Sequence, residues 1–266
     1  MSVASITVRH LKEMKSEGRK ISVLTSYDAS LTRLIEEAGA EVLLVGDSLG
    51  MVVQGRESTL PVSVDEMVYH TRNVARARQS ALLVADMPFM SYRTPELALE
   101  SAGRLMKEGG AHMVKLEGGA VQLEVIRQLT AQGIPVCGHL GLLPQSVHKL
   151  GGYRVQGREA ERADAILQDA QALQKAGIDL LVLECVPTRL AAEITAALEV
   201  PVIGIGAGAD CDGQVLVVYD MLGMNPHPPR FVKDFLVTGG SILQALKDYV
   251  TEVREGRFPT AKQSFE

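Results

Sequence analysis

Tryptophan is absent from this chain, and aromatic residues make up only 4% of it. Any core must therefore be aliphatic, and the 46% of hydrophobic residues is enough to build a large one. Basic residues are not in excess. The net charge of −5 leaves no positive footprint for nucleic acid as a partner. Cysteine is scarce: Cys137, Cys185 and Cys211 are an odd number without close spacing, which argues against a disulfide framework or a zinc cluster. Cys137 and Cys185 read as small buried hydrophobes, and a reducing cytoplasm is the expected location. Long apolar runs are also missing. No window approaches the roughly 20 residues of a membrane span, and the first 18 residues hold no apolar run of signal-peptide length. No membrane partner is expected.

What the chain does have is a repeated layout, clearest at Glu41 to Gly55. The apolar run Val42 to Val45 ends in Gly46, Asp47 and Ser48. A short continuous apolar run between helical patterns reads as a parallel strand buried on both faces. Its carboxyl end is where α/β folds bind ligands. Gly46 and Gly50 allow a tight turn and a close approach to a ligand.

The same unit recurs along the chain. Strands are expected at 20–25, 42–45, 82–85, 112–116, 135–138, 180–183, 202–205 and 215–218. Helices are expected at 6–18, 29–38, 64–78, from Pro95 to Gly109, and at 120–131, 160–176, 188–198 and 239–254. Asp28 caps the second helix and Gly39 closes it. Pro95 takes a first-turn position. His70, Arg72, Arg76 and Arg78 read as a solvated helix face. Residues 142–159, rich in glycine and polar groups without a period, read as a functional lid. Eight strand units with no composition break predict a single-domain (β/α)8 TIM barrel over 1–266. A doubly wound open sheet is the alternative, weakened by the lack of GxGxxG after the first strand.

Chemistry gathers at the strand ends. The second strand closes on Asp47-Ser48, the third on Asp86, the fourth on Glu117, the fifth on His139 and the sixth on Glu184. In a barrel these surround one mouth. Four unscreened carboxylates there would raise one another's pKa. A hard divalent cation is the simplest compensation, Mg²⁺ first and Mn²⁺ second. Lys115 precedes Glu117 by two residues and so points to the same side of its strand, one layer deeper. Its partner is either the carboxylate of a bound acid or one of the acidic residues in a salt bridge. His139, on an apolar strand, reads as a satisfied core histidine. Gly206-Ala207-Gly208 is either a tight turn or an anion cradle.

These residues resemble the ketopantoate (3-methyl-2-oxobutanoate) hydroxymethyltransferase family. The matching stretches include Val45 to Met51, Ser58 to Val62, Asp86 to Met90, Val114 to Gly119 and Pro135 to Gly141. They continue through Pro144-Gln145-Ser146, Gly151-Gly152-Tyr153, Val155 to Arg158, Leu183 to Pro187 and Pro201 to Gly208, with Asp212-Gly213-Gln214; beyond Met221 the match is loose. The resemblance implies a phosphoenolpyruvate/pyruvate-type barrel that moves a hydroxymethyl group from 5,10-methylenetetrahydrofolate to 3-methyl-2-oxobutanoate. It implies metal ligands at Asp47, Asp86 and Glu117, substrate contacts at Asp47, Ser48, Asp86 and Lys115, and a general base at Glu184. His139 is a supporting candidate beside this set, apart from the resemblance. The resemblance also implies a homo-decamer. The chemistry agrees: a 2-oxo acid can chelate one cation, which then stabilises an enolate, and an apolar setting would suit Glu184 to a base's role.

Two rivals remain at this level. A lyase or mutase of the same superfamily would keep the acidic set but typically carry a lid cysteine, and 144–158 has none. A non-catalytic metabolite-binding barrel would show a gap in the acidic set, and there is none.

Overall fold

The computed structural model describes residues 5–266. Its strands are short aliphatic runs buried on both faces, as a parallel sheet covered by helices requires. From the amino end come α1 (Val8–Ser16), β1 (Ile21–Thr25), α2 (Ala29–Ala38), β2 (Val42–Val45), a one-turn α3 (Leu49–Val52), α4 (Val64–Ala77), β3 (Leu82–Asp86), α5 (Pro95–Lys107) and β4 (Met113–Glu117). Then follow α6 (Leu123–Ala131), β5 (Val136–Gly141), a one-turn α7 (Val147–Leu150), α8 (Ala160–Ala176), β6 (Leu180–Glu184), α9 (Thr188–Ala197), β7 (Val202–Ile205) and β8 (Gly213–Leu216). The short α10 (Val218–Met221) and α11 (Leu236–Gly239) lead into α12 (Ile242–Arg254). The strands pair in parallel in the order β1 to β8, and β8 closes on β1, which makes a TIM barrel.

Local chemistry sets the helix ends. Asp28 accepts from the amides of Ser30 and Leu31 at the start of α2, and Gly39 ends it with φ +88°. Thr94 caps α5, with Pro95 at its first position. The seam between β1 and β8 is held from outside: the hydroxyl of buried Tyr249 on α12 reaches the carbonyls of Val23 (3.0 Å) and Gln214 (2.9 Å). Tyr249 packs edge-on with Phe235 and Phe258, so three of the chain's few aromatics gather at the closing seam.

Four expectations need correction. β8 lies two residues earlier than 215–218. A Cβ on Gly213 would sit 2.2 Å from the Ile21 carbonyl, so glycine is what lets β8 close against β1. Val218 instead opens α10, its amide bound to Thr25 Oγ1 at 2.9 Å. β5 runs on to Gly141, which puts His139 inside the strand rather than after it. His70 is not on a solvated face: it is half-buried, and its Nδ1 lies 2.8 Å from the Tyr27 carbonyl. Finally, the segment after β5 does not begin as a lid. It enters the barrel mouth through a 3-10 turn at Pro144–Ser146, with Gln145 buried.

Candidate active site

Adjacent parallel strands carry their last residues to the same rim, and the predicted set converges there. Asp47, Ser48, Asp86, Lys115, Glu117, His139 and Glu184 all line one cavity of about 600 Å³. Asp47, Asp86, Lys115, Glu117 and His139 are buried. Strand register does the aiming: Asp86 pairs with Lys115 across β3 and β4, and Glu117 with His139 across β4 and β5.

Three carboxylates share one ammonium. Lys115 Nζ donates to Asp86 Oδ1 at 2.7 Å, so of its two candidate partners the acidic residue is the one seen. The second oxygen of Asp86 accepts from the Asp47 amide at 3.1 Å. Burial lowers the Lys115 pKa, but Asp86, Glu117 and Asp47 outweigh it and hold the side chain above the usual lysine range. Asp47 is held well above the usual carboxylate range, first by burial and then by the charges of Asp86 and Glu117. The donor chemistry thus suits a hard cation: buried oxygens with more negative charge than one lysine can neutralise. Among the described residues, no three Asp, Glu, His or Cys side chains are grouped closely enough to enclose an ion by themselves.

Glu184 closes β6 and is less enclosed, its side chain 14% exposed. Its setting is not apolar as expected: His139 Nε2 lies 3.2 Å from Glu184 Oε2, and His139 Nδ1 lies 3.5 Å from Glu117 Oε1. Neither contact has good hydrogen-bond alignment. Burial and Lys115 depress the His139 pKa, but its contacts with Glu117 and Glu184 prevail and raise it to about 9. His139 is therefore a charged link between two carboxylates rather than a satisfied core histidine. The turn after Glu184 is tight. Gly141 takes φ +92°, and a Cβ there would lie 2.2 Å from the Glu184 carbonyl, so β5 and β6 approach where the base candidate leaves the sheet. Cys185 follows with φ +48°, buried, its thiol pKa pushed up by burial. Burial likewise pushes Cys137 and Cys211 up to about 12, as for inert core residues.

Sequence reasoning missed three residues. Gln145 donates through Nε2 to Asp47 Oδ2 (2.8 Å) and the Met87 carbonyl (3.0 Å), and its amide donates to Glu117 Oε2 (3.0 Å). It binds two of the acidic strand ends together. Tyr92, buried in the loop after β3, donates to Gln145 Oε1, and its hydroxyl accepts from the Glu117 amide at 3.4 Å. Tyr27 places its hydroxyl 2.8 Å from Ser48 Oγ. The Pro144-Gln145-Ser146 stretch was visible as a motif, but no period or charge pattern told that its glutamine turns inward. Gly206 is covered by aromatic rings: a Cβ there would be 3.0 Å from both Phe231 and Phe265.

With this geometry in view, the similarities to known proteins are informative. Residues 5–261 match the family model described as ketopantoate hydroxymethyltransferase. The chain belongs to this family. A 3-methyl-2-oxobutanoate hydroxymethyltransferase of Alkalilimnicola ehrlichii is 60% identical over 98% of this chain and 94% of its own. One of Nitrosococcus oceani is 58% identical over 98% and 99%. A ketopantoate hydroxymethyltransferase family member at such identity is an enzyme, a transferase. Solved structures extend the fold relation further. A putative phosphonomutase from Burkholderia cenocepacia superposes with a TM-score of 0.65 at 17% identity, covering 82% of this chain and 95% of its own. A 2,3-dimethylmalate lyase of the PEP mutase/isocitrate lyase superfamily gives 0.60 at 17%, covering 82% of each. A phosphonopyruvate hydrolase solved with oxalate and Mg²⁺ gives 0.60 at 13%, covering 95% and 99%. These structures show the barrel fold alone; the family comes from the more similar sequences.

Proposed function

We propose that the chain transfers a hydroxymethyl group from 5,10-methylenetetrahydrofolate to 3-methyl-2-oxobutanoate, giving 2-dehydropantoate in pantothenate biosynthesis. The observation that carries this reading is the buried set Asp47, Asp86 and Glu117 at three adjacent strand ends, with Lys115 bound to Asp86 and His139 shared between Glu117 and Glu184. Family membership supplies the reaction, since the curated relatives cited above, 58% and 60% identical, bear the activity's name.

Mg²⁺ is the cation the donor set suits. It keeps several waters and needs only one or two carboxylates directly, which is compatible with a site where Gln145 already holds one oxygen each of Asp47 and Glu117. Asp47 and Asp86 would hold it, with Glu117 near. When bound, it would supply Lewis-acid stabilisation of the enolate charge.

The chain's own residues do the rest. Ser48, fixed by Tyr27, and the Asp47-Asp86 edge receive the oxo acid, with Lys115 balancing the negative charge beneath it. Glu184 accepts the C3 proton, and His139 orients its carboxylate. The C3 carbanion then bonds to the one-carbon unit, whose two bonds to folate nitrogens break. A water supplies the oxygen of the new hydroxyl, and one of its protons and the one held by Glu184 pass to the two nitrogens of the departing tetrahydrofolate. Tyr153 and Arg154, at the cavity's outer edge, help exclude bulk water. We also read the enzyme as cytoplasmic, in keeping with three buried free cysteines and, among the described residues, no helix long and apolar enough to cross a membrane. The homo-decamer is the proposed assembly, carried by family membership.

The test is direct. Product should form from 3-methyl-2-oxobutanoate and methylenetetrahydrofolate, vanish with a chelator and return with Mg²⁺. Full activity in chelated enzyme would remove the metal, and no product under any condition would remove the reaction.

A further inference from the structure

The cavity is larger than the oxo acid needs. At the ~30 Å³ that a water claims in the liquid, the eight non-hydrogen atoms of 3-methyl-2-oxobutanoate take about 240 Å³. That is under half of the roughly 600 Å³ present. The remainder is lined by different chemistry and by a different part of the chain: Asp220 and Asn225, Arg230 at the rim, and the rings of Phe231 and Phe265.

Asp220 sits in α10, which the Val218–Thr25 hydrogen bond fixes to the end of β1. It is buried, yet among the described residues no cation pairs with it and its one side-chain hydrogen-bond partner is Asn225, whose Nδ2 donates to Oδ1 at 3.0 Å. Asn225 is in turn locked by the His227 amide, which donates to its Oδ1 at 2.9 Å. A buried carboxylate with one oxygen spoken for and the other free, in the wall of a cavity, is a receptor for a ligand with paired N–H donors. The rings of Phe231 and Phe265, packed over Gly206, supply a flat apolar wall beside it. Phe265 is held in place because its carbonyl accepts from the Thr188 amide (2.9 Å) and hydroxyl (3.0 Å). Exposed Arg230 lies over the Phe265 ring at 5.3 Å, a cation at the cavity's exit. A bridge joins this region to the oxo-acid end. Tyr219 stacks on Tyr27 at 5.7 Å, and Tyr27 meets Ser48.

We propose that this outer half of the cavity is the pterin subsite, with Asp220 pairing with the 2-amino and ring N–H groups, Phe231 and Phe265 flanking the ring, and Arg230 facing the anionic glutamate tail. The inference rests on methylenetetrahydrofolate being the donor, as proposed above. A reduced pterin is a planar bicycle with adjacent N–H donors on one edge and a carboxylate-bearing tail. Each of these features meets a complementary group here.

The experiment measures steady-state KM values for both substrates in wild type, Asp220→Asn and Phe265→Ala, with circular dichroism and Tm to confirm folding. Asp220→Asn keeps the shape and the bond to Asn225 but removes the charge-assisted contact. Its folate KM should rise roughly ten- to a hundredfold, while the oxo-acid KM moves far less. Phe265→Ala should shift the same constant in the same direction by a smaller factor, which keeps the proposal testable if the aspartate variant misfolds. A folate KM unchanged in folded Asp220→Asn, or an equal rise in both KM values, would overturn the subsite while leaving the reaction intact. A wild type that makes no product from methylenetetrahydrofolate would overturn the donor, and the subsite with it.

Discussion

The two ends of the barrel both carry buried charge, and they treat it in opposite ways. At the amino ends of the strands three acids each have a partner. Glu41, before β2, accepts from Ser22 N (2.8 Å), Ser22 Oγ (2.5 Å) and the Arg254 guanidinium. Asp212, before β8, accepts from Lys15 Nζ and Val202 N, both at 2.8 Å. Asp179, before β6, pairs with Lys12 at 2.9 Å. α1 lies across this end and supplies both lysines. At the carboxyl ends, the four carboxylates of Asp47, Asp86, Glu117 and Glu184 share Lys115 and His139, and Asp47 is driven well above the usual carboxylate range. One end is satisfied and closed. The other is left short of positive charge in an open cavity. Folding alone gains nothing from such a deficit, so its presence at the mouth marks where a ligand's charge completes the site.

Substitutions can break this contrast, since each end should answer to a different measurement. The largest effect is expected at the mouth: Asp86→Asn should lower kcat on the order of 10²–10³-fold, the usual scale for loss of an electrostatic stabiliser, with the barrel still folded by circular dichroism. Lys115→Ala should raise the oxo-acid KM roughly ten- to a hundredfold through loss of a charge-assisted contact. Normal kinetics with a lowered Tm would reduce Lys115 to a structural partner of Asp86. At the other end the sign of the result reverses. Glu41→Ala strands the Ser22 donors and should cost about 2 kcal/mol of stability, read by urea titration, while activity per folded molecule stays normal.

The smallest effect concerns pH. His112, just before β4, has its pKa lowered by burial and then by Arg78, and its Nδ1 accepts from the Leu83 amide at 3.2 Å. A histidine with a depressed folded pKa is favoured in the fold while neutral. Its contribution is present above the unfolded value near 6.5 and is lost as pH falls through the folded one. Tm should therefore decline below about pH 6.5, and His112→Asn should flatten part of that decline. An identical slope in the variant would place the acid sensitivity elsewhere.

Much of the mouth was legible because parallel barrels write their sites into strand ends. Apolar runs closing on Asp47, Asp86, Glu117 and Glu184 are visible in one dimension, and parallel register carries them to one rim. Lys115 was placed by strand alternation alone, although its partner could not be chosen without coordinates. What could not be read was contributed from outside the strands. Gln145 lies in a segment without periodicity and enters the site through a 3-10 turn, so neither helical nor strand spacing announces it. The start of β8 depends on Gly213 fitting against the Ile21 carbonyl, a contact between residues nearly two hundred positions apart in the chain. The apolar stretch at 215–218 drew the expected strand too late for that reason. Asp220, on the short α10, and Phe265, near the chain's end, reach the cavity from segments after the last strand, where the pattern has stopped repeating.

Proton abstraction is the centre of the account, and it can be isolated from folate altogether. With enzyme, Mg²⁺ and 3-methyl-2-oxobutanoate in D₂O, and no folate, the C3 proton should exchange for deuterium at a rate followed by NMR. Glu184→Gln preserves size and leaves Asp47, Asp86 and Glu117 in place, and it should slow that exchange by about 10²–10⁴-fold with little change in oxo-acid affinity. Exchange at the wild-type rate in the folded variant would contradict the assignment of Glu184 as the base.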